Sequence, residues 1–312
     1  IGHSPFGHQG ETILSEIAER EYGQRFWHAG NGIHYVDDLE LLKDVAGHER
    51  NLNLTYAVRD GIISHCGEID ENKVMPRKEF INLNDYTYPN QYAPYTWEGC
   101  VVKISDKIAY LGRDIQDAIT LGLIDNLDEL YDILNYNKDE VINNTVIINN
   151  LVYDLCSNSS IEKGLCFSDE KFNMINTLKK YNYQKIYLSE KLQPSNRYFD
   201  LVINTIYDLL KHGVLANHGV LFGPWLPIYG FGGVLLYLLL NRDKKAKKKC
   251  PELINDFNNW LQDYWNLERN EKNQNDVIFN MSNEKDYYKA IILYISGMTD
   301  NYAIEMYNKI IK

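Results

Sequence analysis

The sequence predicts an all-α protein, and three observations carry that reading. Apolar residues recur at spacings of three and four through most of the 312-residue chain. Strand-type alternation is rare, with Lys185 to Leu188 the best short candidate. Proline and asparagine gather between the periodic segments, where they read as connections.

Taken in order, Thr12 to Tyr22 carries Ile13, Leu14, Ile17 and Ala18 on one helical stripe. Gly32 to Val45 repeats the pattern with Ile33, Val36, Leu39, Leu42 and Val45, and Leu54 to His65 with Leu54, Val58, Gly61 and Ile62. From Glu68 to Tyr95, Pro76, Pro89 and Pro94 with several Asn and Tyr predict one long loop, of a length usually given to lids or disordered connections. The strongest periodicity runs from Tyr95 to Leu123. Further helices are predicted over Leu127–Leu134, Lys138–Cys156, Asp169–Lys180, Ser195–Lys211, Pro251–Leu267 and from Lys285 to the end. The expected division is a core over residues 1–125 and a helical C-terminal region over 126–312, interrupted by an apolar segment at 213–249.

Composition is that of a globular protein, 45% hydrophobic and 24% charged. A net charge of −11 argues against broad nucleic-acid backbone binding but leaves room for a small anion held by local cations. Cys66, Cys100, Cys156, Cys166 and Cys250 are scattered without a C-x-x-C pair, which fits free thiols in a reducing, cytoplasmic setting. No signal peptide opens the chain, and Ile1-Gly-His-Ser-Pro reads as the start of a fragment.

The segment from Gly213 to Asn241 has no formally charged residue and is followed by a lysine-rich run to Lys249. Pro224, Pro227, Gly230, Gly232 and Gly233 break it, so the uninterrupted apolar run is only Val234 to Leu240, against the roughly 20 residues a membrane span needs. Residues 217–241 resemble a motif of ABC-transporter-like membrane proteins. Three readings stay open: an inserted membrane-active hairpin, a foreign piece joined by recombination, and a buried core helix with an unusual loop. Membrane contact through 213–241 is the less favoured expectation.

Three stretches carry chemistry. Ile1-Gly-His3-Ser-Pro5-Phe-Gly-His8-Gln-Gly-Glu11 sets two imidazoles on one turn, suited to contacting phosphoryl oxygens or moving a proton. The bland alternative is a helix-entry loop whose histidines bind backbone carbonyls. Phe26-Trp-His28-Ala-Gly-Asn31 adds a third histidine, which alone is more often structural. On the long helix, Asp106, Tyr110, Arg113 and Asp117 form a polar stripe with Asp114 beside it and Lys107 close by, opposite Ile104, Ile108, Leu111, Ile115 and Ile119. Such a stripe could hold a metal, a phosphate and a sugar, or be a solvated face with i,i+4 ion pairs.

These stretches resemble the HD-superfamily deoxynucleoside triphosphate triphosphohydrolases of the dGTPase-like kind. That family reads His-Asp-Ile-Gly-His-x-Pro-Phe-Gly-His-x-Gly-Glu, and this chain supplies everything after His-Asp. Phe26-Trp-His28 with Asn31 matches its second motif, and Asp106-Lys-Ile-Ala-Tyr110-Leu-Gly-Arg-Asp114-Ile-Gln-Asp117-Ala118 its third. Leu54 to Glu68 resembles the helix between them, and Gly297-Met-Thr-Asp300-Asn-Tyr-Ala303 the closing motif.

The resemblance implies an HD-domain helical bundle with a C-terminal helical extension. It implies a divalent ion (Mn, Mg, Fe or Zn) with Asp106 as its last ligand, and His3, His8 and His28 around the α-phosphate. Lys107 would bind phosphate, Tyr110 pack on the deoxyribose and Asp114 accept from the sugar 3′-hydroxyl. The implied reaction is hydrolysis of a dNTP to deoxynucleoside and tripolyphosphate by a homo-oligomer. Asp300 is expected to cap the final helix. The chain departs from the pattern in two places. The upstream His and the His-Asp pair, three of the four expected metal ligands, precede Ile1, so activity would be impaired in this fragment. Ala29-Gly30 follows His28 where Asn or Glu is common. The alternatives are another HD nucleotide phosphohydrolase and a catalytically inactive nucleotide-binding module.

Overall fold

The computed structural model describes residues 2–67, 71–213 and 250–312, and it is all-α apart from one short hairpin among those residues. The readings placed on 214–249, membrane contact included, lie outside the described residues. No described helix is long and apolar enough to cross a membrane. The chain forms two compact units, Ile1–Leu54 with Asn196–Lys312, and Thr55–Ser195.

The first unit opens with α1 (Gly7–Tyr22), which buries Ile13, Leu14, Ile17 and Ala18, the predicted stripe. Gly23 ends it in the left-handed conformation at φ 74°, its N–H donating to Glu19 O at 3.0 Å. After α2 (His28–His34) a π-helical turn (Tyr35–Leu39) runs into β1 (Leu41–Lys43), which pairs antiparallel with β2 (Glu49–Asn51). The helix expected to continue to Val45 therefore stops early. Asp44 is the cause: its carboxylate accepts from the N–H groups of Ala46 (2.8 Å) and His48 (3.0 Å) and from Arg50 Nε (2.7 Å), a turn network that outcompetes helical bonds.

The unit is completed by α8 (Gln193–Gly213, in this unit from Asn196), α9 (Pro251–Gln262), α10 (Glu284–Ser296) and α11 (Asp300–Ile311). Their apolar faces and that of α1 form one core: Leu14, Ile17, Ile203, Ile206, Tyr207, Leu253, Phe257, Ile291 and Met306 are all at most 1% exposed. The predicted C-terminal helix is two helices, because Thr299 accepts from Tyr302 N–H at 3.2 Å and caps a new start.

In the second unit α3 (Tyr56–Ser64) lies against α4 (Trp97–Thr120), which Thr96 caps by accepting from Gly99 N–H at 3.1 Å. Cys100, Ile104, Ile108, Leu111 and Ile115 of α4 meet Leu130 and Leu134 of α5 (Asp128–Leu134), Ile147 and Leu151 of α6 (Asn144–Asn158), and Ile175 and Leu178 of α7 (Asp169–Asn182). Burying this many Leu- and Ile-sized side chains, at about 1.5–3 kcal/mol each, is the main force holding the helices together. Gly112 permits the closest α4–α6 approach, since a Cβ there would lie 2.4 Å from Asn144 Oδ1.

The described part of the long loop, from residue 71, has a single 3-10 turn at Leu83–Asp85 and is pinned rather than loose. Arg77 pairs with the buried Asp60 of α3, whose other oxygen accepts from Tyr95 N–H at 2.7 Å. The short strand expected at 185–188 is instead a π-helical turn (Tyr183–Tyr187) extending α7, with Ile186 buried. Four alternating residues cannot distinguish a strand from one helical turn that tertiary packing favours.

Candidate active site

Within the first unit, α1 and α2 bring His3, His8 and His28 together. Pro5-Phe6-Gly7 turns the chain into α1 through two left-handed residues, Phe6 at φ 64° and Gly7 at φ 56°. That turn is held from a distance: Asp300 Oδ1 accepts from Phe6 N–H at 2.8 Å. Asp300 is thus a tether for the histidine-bearing turn, while Thr299 caps α11 in the place expected for Asp300. Gly2, at φ 80°, runs so close to α2 that a Cβ would sit 2.2 Å from His28 O. Asn31, 3% exposed, donates to Gly2 O (2.7 Å) and Ser296 Oγ (3.1 Å), fixing α2 against both the N-terminal turn and α10.

The His3 ring stacks on His28 with centroids 4.0 Å apart, and the His8 ring stands edge-on 5.6 Å from His3 and 5.7 Å from His28. At their centre is Glu11. Its Oε2 accepts from His28 Nδ1–H at 2.8 Å and His8 Nδ1–H at 3.4 Å, and its Oε1 from the His28 backbone N–H at 3.3 Å. Burial by itself would raise the Glu11 carboxyl, but the hydrogen bonds from His28 and His8 and their charge reverse this and hold it well below the usual carboxylate range. His3 is pushed down to about 4, first by burial and then by the charges of His28 and His8. An ionised carboxylate therefore sets the Nδ1–H tautomer of two histidines and aims their Nε2 atoms outward.

Glu11 was quoted in the sequence without a role. Its position three residues after His8 on the first turn of α1 was the available signal, since residues three apart share a helix face. The ligand atoms of His3, Glu11 and His28 lie within 4.8 Å of one another. Two imidazole nitrogens and a carboxylate oxygen at that spacing fit a divalent first-row ion.

The other candidates lie on α4 in the second unit. Asp106 is exposed and Tyr110 is half-buried against the core. Arg113 and Asp117 form an exposed i,i+4 ion pair at 2.9 Å, the bland reading for those two. Asp114 accepts a hydrogen bond from the Tyr187 hydroxyl. Lys107 is 7% exposed on the core side of the helix, its ammonium donating to Gly67 O at 3.4 Å. One turn earlier, buried Lys103 donates to Ser64 O (3.2 Å) and Cys66 O (2.6 Å), so both lysines serve the carbonyl-rich end of α3.

Comparison with known proteins adds two findings. A family model described as putative ABC-transporter type IV matches residues 199–257. The described flanks of that match, including Val202, Ile203, Ile206, Leu253, Ile254 and Phe257, are packed in the core of the first unit. Along nearly its whole length the chain is similar to proteins named deoxyguanosinetriphosphate triphosphohydrolase-like. The protein from Clostridium tetani is 26% identical over 99% of this chain and 65% of its own length. That from Rickettsia bellii is 27% identical over 99% of this chain and 73% of its own length. A third, from Desulfatibacillum aliphaticivorans, is 31% identical over 69% of this chain and 55% of its own length. The chain thus spans roughly half to three quarters of these relatives, and its similarity is to dGTPase-like proteins.

Proposed function

We propose that this chain belongs to an HD-type deoxynucleoside triphosphate triphosphohydrolase that hydrolyses a dNTP such as dGTP to deoxynucleoside and tripolyphosphate. The observation that carries the reading is the Glu11 carboxylate holding His28 and His8 by their Nδ1–H groups with His3 stacked alongside. A carboxylate that orients an imidazole is the arrangement a proton-transfer site needs. The names of the relatives supply the substrate class.

In this reaction His8 and His28, held by Glu11, present Nε2 to the phosphate and protonate the departing 5′-oxygen. His3, uncharged at neutral pH, supports the His28 ring by stacking. Lys107 binds phosphate oxygens, Tyr110 packs on the deoxyribose and Asp114 accepts from the 3′-hydroxyl. The His3–Glu11–His28 set would hold a divalent ion, and Asp106 is the further ligand that the resemblance implies. When bound, that ion supplies Lewis-acid polarisation of the α-phosphate.

The test is product analysis by ion-exchange chromatography after incubation with dGTP and Mn²⁺. Deoxyguanosine and tripolyphosphate appearing together, and absent from a His28→Asn variant, support the assignment. Release of dGMP and pyrophosphate, or no release above the metal-only blank, overturns it.

A further inference from the structure

The second unit contains a cleft whose chemistry is not that of the polar stripe on α4. One wall is a turn of α4 bearing Ile104 and Lys107, and the facing wall is α7 with Phe172, Ile175, Asn176 and Lys179. Segments 71–74 and 165–167 close its side. They are locked together by four hydrogen bonds. Val74 and Leu165 exchange two backbone bonds of 2.9 Å, and Asn72 both donates to Phe167 O (2.7 Å) and accepts from Phe167 N–H (2.9 Å). The frame is therefore set before any ligand arrives. The cleft encloses about 290 Å³, part of it open to solvent, close to the lower end of small-molecule sites at roughly 300 Å³.

Its floor is apolar, built from Val74, Ile104, Leu165, Phe167 and Ile175. Its charged groups are Lys73, Lys107 and Lys179 against the single carboxylate of Glu71, so three positive and one negative charge leave a local balance of +2. The whole chain carries −11. A local reversal of sign over a low-dielectric floor favours an anion more than the same lysines on an open surface would. Three cations rising from three separate segments suit an extended anion with several charged centres.

We propose that this cleft is a polyanion subsite, in which Lys179 and Lys73 continue from Lys107 to hold the phosphate chain of a nucleoside triphosphate and the tripolyphosphate released from it. The inference rests on the proposed function for the origin of the anion, and on the cleft alone for its binding. Lys107 takes one end of the phosphate chain, while Lys179, half-buried on α7, and Lys73, exposed at the rim, take the rest.

The experiment is isothermal titration of the 312-residue chain with sodium tripolyphosphate, which requires no turnover. The wild-type chain binds, and raising NaCl from about 50 to 200 mM weakens binding because the contacts are ionic. A Lys73→Ala/Lys179→Ala double variant loses about tenfold or more in affinity and shows a shallower salt dependence. Lys180→Ala, on the same helix but not lining the cleft, binds as wild type; circular dichroism shows that all variants are folded. No binding by the wild type, equal binding by the double variant, or an equal loss in Lys180→Ala overturns the proposal. If tripolyphosphate binds with this pattern but no dNTP is hydrolysed, the subsite stands and the proposed reaction falls.

Discussion

Replacing Glu11 by glutamine tests the centre of the histidine cluster with almost no change in shape. The carboxylate accepts three hydrogen bonds, from His28 Nδ1 (2.8 Å), His8 Nδ1 (3.4 Å) and the His28 N–H (3.3 Å). An amide offers only one oxygen, so in Glu11→Gln the other end of the side chain turns an N–H₂ toward an existing donor. Either His28 changes tautomer or its ring turns away. Hydrogen bonds to a charged group contribute about 1.5–3 kcal/mol, and the side chains of His28 and Glu11 are only 12% and 18% exposed, so solvent screens them little. Stability is expected to fall by about 1.5–3 kcal/mol in urea denaturation. The rate effect follows from misdirected protonation: a fall in kcat of about 10²-fold, or roughly 2.7 kcal/mol of barrier, with KM changed much less. Tripolyphosphate release from dGTP at saturating substrate is the assay, with Mn²⁺ affinity measured in parallel to separate loss of an ion from loss of orientation. A folded variant that keeps kcat within about threefold of wild type would falsify the claim that Glu11 sets the reactive histidines.

Three further outcomes follow from particular contacts. Glu21, held by Lys211 Nζ (2.7 Å) and Arg20 Nε (3.0 Å), has a carboxyl that burial would raise but these partners hold below its usual 4.5. A depressed carboxyl stabilises the fold above the unfolded value and loses that contribution as pH falls through the lower folded one. The gap between wild type and Glu21→Gln should be about 1–2 kcal/mol at about pH 7 and close below about pH 4.5, and an unchanged gap at about pH 3.5 removes the ion pair as its cause. Lys103→Met strands the Ser64 and Cys66 carbonyls in a buried position and should cost about 2–4 kcal/mol in chemical denaturation; a loss under about 0.5 kcal/mol means that water already satisfies them. Tyr187→Phe frees Asp114 of one donor; if Asp114 reads the sugar, KM for dGTP shifts by about 2–10-fold with kcat kept, whereas an unchanged KM places Asp114 outside substrate recognition.

What could be read from the linear chain was what depends on near neighbours. The stripe of Ile13, Leu14, Ile17 and Ala18, and that of Ile104, Ile108, Leu111 and Ile115, are fixed by helical geometry, and both are buried. The pairing of Arg113 with Asp117 was likewise legible, because partners four apart meet on any helix. Where local hydrogen bonding competes with the helix, periodicity failed, as at Asp44, whose turn ends the pattern that Leu42 and Val45 continue.

The residues with candidate chemistry divide along the same line. The amino-acid sequence by itself determined that histidines stand at positions 3, 8 and 28 and that Glu11 lies one turn beyond His8. Only the tertiary structure decided that Glu11 reaches His28, seventeen residues away, and that Asp300 bonds Phe6 across 294 positions. It also decided that Lys103 and Lys107 turn inward to the end of α3 while Asp106 stays exposed. The reason is physical. Side-chain identity and helical phase are encoded over a few residues, but the partner of a polar group is set by which helices pack together, and packing is chosen by the apolar faces of the whole unit.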